Sequence, residues 1–562
     1  MRTFNSETFT LSTRLAAVVA NRAADVFCTF IQAHRKQQIT FEELLHRSVA
    51  YARRYLEMDV KRGDLIIVIL QHSDHLFYSY IGAILAGAVP TFMPFPTSKQ
   101  RPELYWADHD ALFARIEPRL IVTYEENVSD ARTILPNFQI PTLIAEDSIL
   151  KTRETTLLDL PGFAAAADDT ACLQHSSGTT SLKKGVMLTH RAILSEVEAY
   201  AKALDFGASD SIASWLPLYH DMGFIACFMG SMLRGTHLVA LDPFEWVMRP
   251  SILFDAIEQY RTTFCWLPNF AFSHLANTAR ANARWDLSSM RAFVNCSEPC
   301  KAKTFERFAA RFGPDGISMN QLQVCYAMAE NVFAVTQTPL GRPPGVVHAA
   351  AQAFSRGTVE PGNAGDATIP VLSCGAPIEG VRVQICDPAG SPLPDGKVGE
   401  IYLTSPFLFS GYYKLPEKTR EKLRGEWYAS GDMGFMLEGE LYVTGRIDDM
   451  IIVNGQNFYA HEIEAIANGV PTIIPGRIVA IAVEEERSDA TAVAVLAECT
   501  ADADLDRIGQ DVRREVLEQL GLAIHTFVPV AKGQLVKTTS GKISRSKNKE
   551  LYVNGGFSRR PV

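Results

Sequence analysis

The chain has 562 residues, of which 47% are hydrophobic, 21% charged and 10% aromatic; that is enough for several buried cores and too apolar for a mainly disordered protein. A formal charge of −9 argues against nucleic acid as the main partner, because no overall basic excess supplies the attraction. The ten cysteines include no Cys-x-x-Cys pair, which reads as reduced thiols of a cytoplasmic protein rather than a disulfide frame or zinc site.

From the N-terminus, Met1–Thr13 is polar and Leu15–Ala20 is too short for a secretory h-region. Thr40 and Glu43 have the spacing of a capping box and open a helix through roughly Leu56. Leu65–Leu70 is an unbroken apolar run, expected of a strand covered on both faces. A helix over Asp74–Ala86 and a strand over Val89–Met93 follow, which together make a βαβ unit of a parallel sheet. The apolar stretch Ile81–Pro96 is cut by Pro90, Pro94 and Pro96, so no transmembrane segment is expected. Arg119–Tyr124 and Leu238–Leu241 read as further strands of the same kind. Beyond Gly445 the pattern changes: short strands at Met450–Val453, Ile478–Val483 and Ala492–Ala497 interleave with helices near His461–Ala467 and Asp504–Leu520. The expected fold class is α/β. A large multi-subdomain N-terminal α/β body (1–445) joins, through a hinge at 446–448, a small mobile α+β C-terminal lid (449–562). Gly341–Pro370, rich in Gly, Pro and Ala with few apolar anchors, stands out as an insertion longer than structureless loops usually are.

The strongest local signal is His175-Ser-Ser-Gly-Thr-Thr-Ser-Leu-Lys-Lys-Gly-Val186, a hydroxyl- and glycine-rich turn after an apolar strand, with a helix from about Arg191. Small residues let backbone amides approach an anion, hydroxyls donate to it, and lysine adds charge. It is not a Walker A loop, because the glycine follows the lysine. Next come Trp215–Gly223, Asn295–Pro299, Tyr326–Glu330, Ser430–Asp432, Tyr442–Asp449, Gly455–Glu464 and Lys537–Arg545. Each alone reads equally as ordinary structure: a core strand end, a strand-turn-helix, a solvated basic tail. His72-x-x-His75 has no carboxylate at ligand spacing, and no metal motif includes His220, so neither suggests zinc.

Taken in order, these segments resemble the adenylate-forming superfamily of acyl-CoA synthetases, luciferases and nonribosomal adenylation domains. The resemblance spans essentially the whole chain. It implies ATP and Mg²⁺ as cofactors. Ser176, Ser177, Gly178, Thr179, Thr180 and the catalytic Lys184 would meet phosphates, and Asn295, Cys296, Ser297 and Glu298 would line one adenine face. Tyr326 would stack on the other face, Glu330 would hold Mg²⁺, Asp432 would accept from the ribose hydroxyls, and Arg446 and Asp448 would join the two domains at the hinge. Lys542 would be the lid lysine of the adenylation step. His220 and Asp221 would stand at the mouth of an acyl pocket containing Trp266 and Phe272, although such apolar residues can equally fill the core. The chain departs from the family pattern at Ser181, Lys183, Ala327 and Ala460.

Within the superfamily, Leu267–Phe272, Trp285–Ser289 and Asn295–Pro299 look most like fatty acyl-AMP ligases, which also carry an insertion where Gly341–Pro370 lies. That branch implies a fatty acid substrate and transfer to the phosphopantetheine arm of an acyl carrier protein, the insertion restraining the lid against CoA. A tolerated surface insertion without mechanistic role explains the same segment. Three alternatives stay open at this level: an acyl-CoA synthetase using CoA, an amino-acid-activating domain, for which no acidic amino-group anchor is found, and a degenerate acyl- or nucleotide-binding protein.

Overall fold

The structure is a computed structural model. It describes residues 9–32, 35–96, 102–135, 137–150, 157–175, 183–362, 367–453, 456–484, 491–500, 504–537 and 543–557. The α/β class is borne out. Among the described residues, nine strands form the largest sheet, and its centre is parallel: Leu322–Ala327, Ala292–Asn295, Phe264–Leu267, Ser211–Ser214, His237–Leu241 and Val26–Gln32 lie side by side in that order. A second, four-stranded parallel sheet runs Val89–Phe92, Leu65–Val68, Leu120–Thr123, Thr142–Ile144.

The local reasons are those the sequence supplies. Thr40 Oγ1 accepts from Glu43 N while Glu43 Oε2 accepts from Thr40 N at 3.0 Å, closing the capping box that starts the helix Phe41–Glu57. Leu65–Val68 is buried throughout, as a strand covered on both faces must be. Leu238–Leu241 is a strand as expected, but it lies in the nine-stranded sheet beside Val26–Gln32, not in the four-stranded one.

One hydrophobic core runs from Leu11 to Leu441. Separate cores, Ile451–Phe527 and Val479–Phe557, belong to the C-terminal part, where Ile473–Glu484, Thr491–Cys499 and Thr526–Val530 form a three-stranded sheet. At the junction Gly445 lies so close to Tyr459 that a Cβ there would meet its Cδ1 at 2.6 Å. Glycine is therefore needed for the C-terminal part to seat on the strand Glu440–Arg446.

The Gly- and Pro-rich insertion is not featureless. Val346–Ala350 pairs antiparallel with Thr368–Leu372, and Ala351–Phe354 forms a single helical turn between them. Its few apolar residues are enough because they converge: Ala349, Phe354 and Val371 pack with Phe435 and Tyr442 and with Met450 and Tyr459 of the C-terminal part. Asn457 N also donates to Ser355 O at 3.2 Å, so the hairpin touches both parts of the chain.

Candidate active site

In a parallel sheet the carboxyl ends of the strands leave a crevice for ligands. Asn295, Leu267, Ser214 and Tyr326 all stand at or next to such ends. Tyr326 Oη donates to Asp432 Oδ2 at 2.6 Å, and Arg446 Nε donates to Asp432 Oδ1 at 3.0 Å. The neighbouring Asp432 carboxylate raises the Arg446 pKa, and burial raises that of the Tyr326 phenol. Each carboxylate oxygen of Asp432 carries two acceptor positions and uses one here, which leaves capacity for two further donors.

Glu330 sits on a tight turn, Ala329–Asn331, that follows the strand Leu322–Ala327. Val332 closes that turn at φ 63°, a left-handed conformation that a β-branched residue adopts at a cost of about 1–3 kcal/mol. The surroundings enforce it: Asn331 Nδ2 donates to Ala334 O at 2.7 Å, Ser405 Oγ donates to Asn331 Oδ1 at 2.6 Å, and Met328 N donates to Phe333 O at 2.8 Å. Glu330 Oε1 accepts from Tyr412 Oη at 2.7 Å, and Tyr412 Oη lies 3.2 Å from Tyr428 Oη. Lys184 Nζ stands 5.2 Å from the centre of the Tyr412 ring. Burial lowers the Lys184 pKa, and the Glu330 charge opposes that shift. Lysine, carboxylate and phenol thus form one cluster beside the end of the phosphate-loop motif.

Tyr412 escaped the sequence reading, being one of two adjacent tyrosines after Gly411. Its backbone is clamped to the strand Gly185–Thr189 through Met187 N to Gly411 O at 3.0 Å and Tyr413 N to Gly185 O at 2.7 Å. This long-range pairing, together with Phe409 N donating to Glu330 O at 2.8 Å, places its hydroxyl on Glu330.

The residues expected on the adenine side, Asn295 to Glu298, are arranged as a strand end and turn. Asn295 Nδ2 donates to Asn269 Oδ1 at 3.0 Å, whereas its buried Oδ1 has no partner among the described residues. Cys296 is buried, Ser297 turns at φ 70°, and Glu298 Oε2 accepts from Phe270 N at 3.1 Å. Ser176, Ser177, Gly178, Thr179 and Thr180 lie outside the described residues, as does Lys542. Asp448 is exposed in the short turn Ile447–Asp449, beside Asp449, which pairs with Arg545; Arg545 Nη2 also reaches Glu464 Oε1 at 2.7 Å.

An apolar crevice opens next to the Trp215–Gly223 segment. It is narrow, with a cavity volume of about 40 Å³ and one side open to solvent, and its walls include Phe77, Phe92, Met93, Tyr219, Gly223 and Cys227. Asp221 caps the buried π-helical run Met222–Met229 through Met222 N at 2.8 Å; such helices recur at functional sites. Gly223 is required there, since a Cβ would meet Pro217 O at 2.5 Å. None of the four residues expected at the acyl pocket, His220, Asp221, Trp266 and Phe272, is on these walls. Trp266 Nε1 donates to Tyr200 Oη at 2.9 Å in the core, and Phe272 packs on Phe305 and Phe308. Among the described residues no group of three or more His, Cys, Asp or Glu is placed to hold a metal ion, and no helix is long and apolar enough to cross a membrane.

A carboxylate with free acceptor positions, a lysine–glutamate–tyrosine cluster after a glycine- and hydroxyl-rich loop, and a crevice at the strand ends define a nucleotide-using α/β enzyme with a smaller C-terminal domain. The model of the AMP-binding enzyme family matches residues 15–413, and the chain belongs to that family. It is an adenylate-forming ligase, with fatty acyl-AMP ligases among its relatives. It is 30% identical over 556 residues to the medium-chain-fatty-acid–acyl-carrier-protein ligase JamA of Moorena producens (strain JHB), covering 94% of this chain and 92% of that protein. It is 29% identical over 561 residues to the long-chain-fatty-acid–AMP ligase FadD28 of Mycobacterium bovis (strain ATCC BAA-935 / AF2122/97), covering 93% of each. A solved chain from a study of fatty acyl-adenylate ligases of E. coli and L. pneumophila shares the fold with a TM-score of 0.87 at 24% identity, over 99% of both chains.

Proposed function

We propose that this ligase activates a medium- or long-chain fatty acid with ATP and passes the acyl group to the phosphopantetheine thiol of an acyl carrier protein. The observation that carries the fatty-acid half is the apolar crevice walled in part by Leu216, Tyr219 and Gly223 of the Trp215–Gly223 segment, whose walls suit a hydrocarbon chain. The named relatives support it, one being a fatty-acid ligase to acyl carrier protein and the other a fatty-acid–AMP ligase.

In the first step a carboxylate oxygen of the acid attacks the α-phosphorus of ATP; the bond to the β-phosphate oxygen breaks and pyrophosphate leaves. Catalysis rests on positioning and charge neutralisation. Lys184 and the loop Ser176–Thr180 hold phosphate oxygens, Asp432 accepts from the ribose, and Tyr326 covers the base. The residues fit Mg²⁺ held in the usual way for nucleotide enzymes, by one carboxylate and the substrate's phosphates rather than by a protein cage. Glu330 is the carboxylate that would hold it, kept in place by Tyr412, and the ion supplies charge neutralisation on the phosphates. Lys542 bridges the acid's carboxylate and the developing charge. The C-terminal domain then turns about Asp448, the thiolate sulfur attacks the acyl carbon, and AMP leaves. The insertion favours the carrier protein over CoA by holding both sides of the hinge, through Phe354 against Tyr459 and Ser355 O against Asn457 N.

ATP–pyrophosphate exchange over a chain-length series of acids, followed by mass detection of acyl transfer to carrier protein and to CoA in competition, tests both halves. Exchange with fatty acids and transfer to the carrier is expected. Exchange only with amino acids, or none, refutes the activity; predominant acyl-CoA refutes the acceptor.

A further inference from the structure

The wall of the apolar crevice includes a few polar residues, Ser214 and Tyr219 near its start and His72 further along. His72 lines the crevice among Leu70, Leu76, Phe77 and Phe92 and stacks on Phe30, with ring centres 4.1 Å apart and planes 19° apart. Its Nε2 is buried and has no hydrogen-bond partner among the described residues. The nearby carboxylate does not supply one. Asp242 Oδ1 caps the helix Pro243–Met248 through Phe244 N at 2.7 Å and Glu245 N at 3.1 Å, and Asp242 Oδ2 accepts from Gln32 Nε2 at 3.3 Å. Burial lowers the His72 pKa to about 4, against the opposing pull of Asp242, so the ring is neutral at physiological pH. A neutral imidazole offers one donor and one acceptor nitrogen. A wholly apolar chain would leave its buried nitrogen unsatisfied, at a cost that proteins normally avoid.

We infer that the crevice is built for an acyl chain bearing its own hydrogen-bonding oxygen, a hydroxyl or keto group, and that His72 is the specificity residue that binds it. The sheet register says where that oxygen falls. Ser214, Ala240 and Phe30 are neighbours across three adjacent strands, so Phe30 and the His72 ring on it lie two strand spacings, about 10 Å, from Ser214. Ser214 leads directly into the Trp215–Gly223 segment that carries His220 and Asp221, the expected carboxyl end. The polar group therefore lies several methylenes beyond the carboxyl, towards the far end of the chain.

This inference rests on reading the crevice as the acyl site, and its test separates the two. Pyrophosphate release by the full-length enzyme is measured with decanoic, dodecanoic and tetradecanoic acids and with the ω-hydroxy derivative of each. The expected result is that kcat/KM for at least one hydroxy acid exceeds that of its parent by about tenfold, the worth of one buried hydrogen bond. His72→Leu should lower that ratio by about tenfold or more, and His72→Gln, which keeps a donor and an acceptor, should restore part of it. Plain acids preferred at every length, or a ratio that His72→Leu leaves unchanged, overturns the inference while the fatty-acid activity stands. Release with none of the acids overturns both.

Discussion

Replacing Tyr412 by phenylalanine removes one oxygen and keeps the ring. The lost hydroxyl donates to Glu330 Oε1 at 2.7 Å and contacts Tyr428 Oη at 3.2 Å, whereas the ring face under Lys184 Nζ, 5.2 Å away, remains. Tyr412 is 2% exposed, so the variant leaves no cavity larger than that oxygen and should fold normally. A hydrogen bond to a charged partner contributes about 1.5–3 kcal/mol. If all of it serves to orient Glu330, kcat/KM for MgATP falls roughly 10- to 150-fold. The assay is pyrophosphate release with ATP varied at several Mg²⁺ concentrations, beside a thermal melt. The expected signature is a loss that shrinks as Mg²⁺ rises, with little change in Tm. Activity within about twofold of the parent enzyme at every Mg²⁺ concentration, from a folded variant, would refute the role of Tyr412 in holding Glu330.

Asp432→Asn keeps the size but removes the charge that holds Arg446 Nε at 3.0 Å; the expected result is weaker ATP binding by at least tenfold in calorimetry, and unchanged affinity would exclude Asp432 from the nucleotide site. Phe354→Ala empties the centre of the cluster linking the insertion to Tyr459 and Met450, a change that costs about 3–5 kcal/mol in a packed core; acyl-CoA formation should rise relative to transfer to carrier protein, and an unchanged ratio counts against the restraint. Glu196 is fully buried, with Oε1 accepting from Ala334 N at 2.9 Å, Oε2 without a partner among the described residues, and burial raising its pKa to about 8. Its folded pKa lies above the unfolded value, so its contribution is fully present below about pH 4.5 and declines as pH rises towards about 8, by about 1.4 kcal/mol per unit at most. Tm should therefore drop across that window in the parent and less in Glu196→Gln; parallel profiles would contradict the burial of a protonated carboxyl.

What the sequence made legible was local. The Thr40–Glu43 capping box, the buried run at Leu65 and the helix beginning near Arg191 depend on residues within one turn or strand of each other, and the structure has all three. Which sheet a strand joins depends on the path of the chain, so Leu238–Leu241 was recognisable as a strand but not as a neighbour of Val26–Gln32. Composition misled at the insertion, because a hairpin needs backbone pairing and only a few anchors, provided they land together on Phe435 and Tyr442. The position of Trp266 turns on Tyr200, 66 residues away, and that of Tyr412 on Glu330, 82 residues away. His72 looked like half of a failed metal motif; only the fold shows it facing a hydrocarbon crevice.

These distances also divide the enzyme by rigidity. Tyr326 and Glu330 lie on or just after one buried strand, and Tyr428 and Asp432 lie on another, Trp427–Leu437, so the groups proposed to hold the nucleotide are fixed by core packing. A side chain there shifts only if a strand shifts, which a close-packed interior resists. The insertion is different: an edge hairpin bound by one small apolar cluster and a few backbone hydrogen bonds. Cooperative units of that size open at far lower cost than the core. On the proposed function, the residues that would set the chemistry are thus held where motion is most expensive, and the segment proposed to select the acceptor sits where a few substitutions can change its grip. Substitutions at Phe354 or Val371 should alter acceptor choice without moving Glu330 or Asp432, whereas no change of acceptor should follow from Tyr412→Phe.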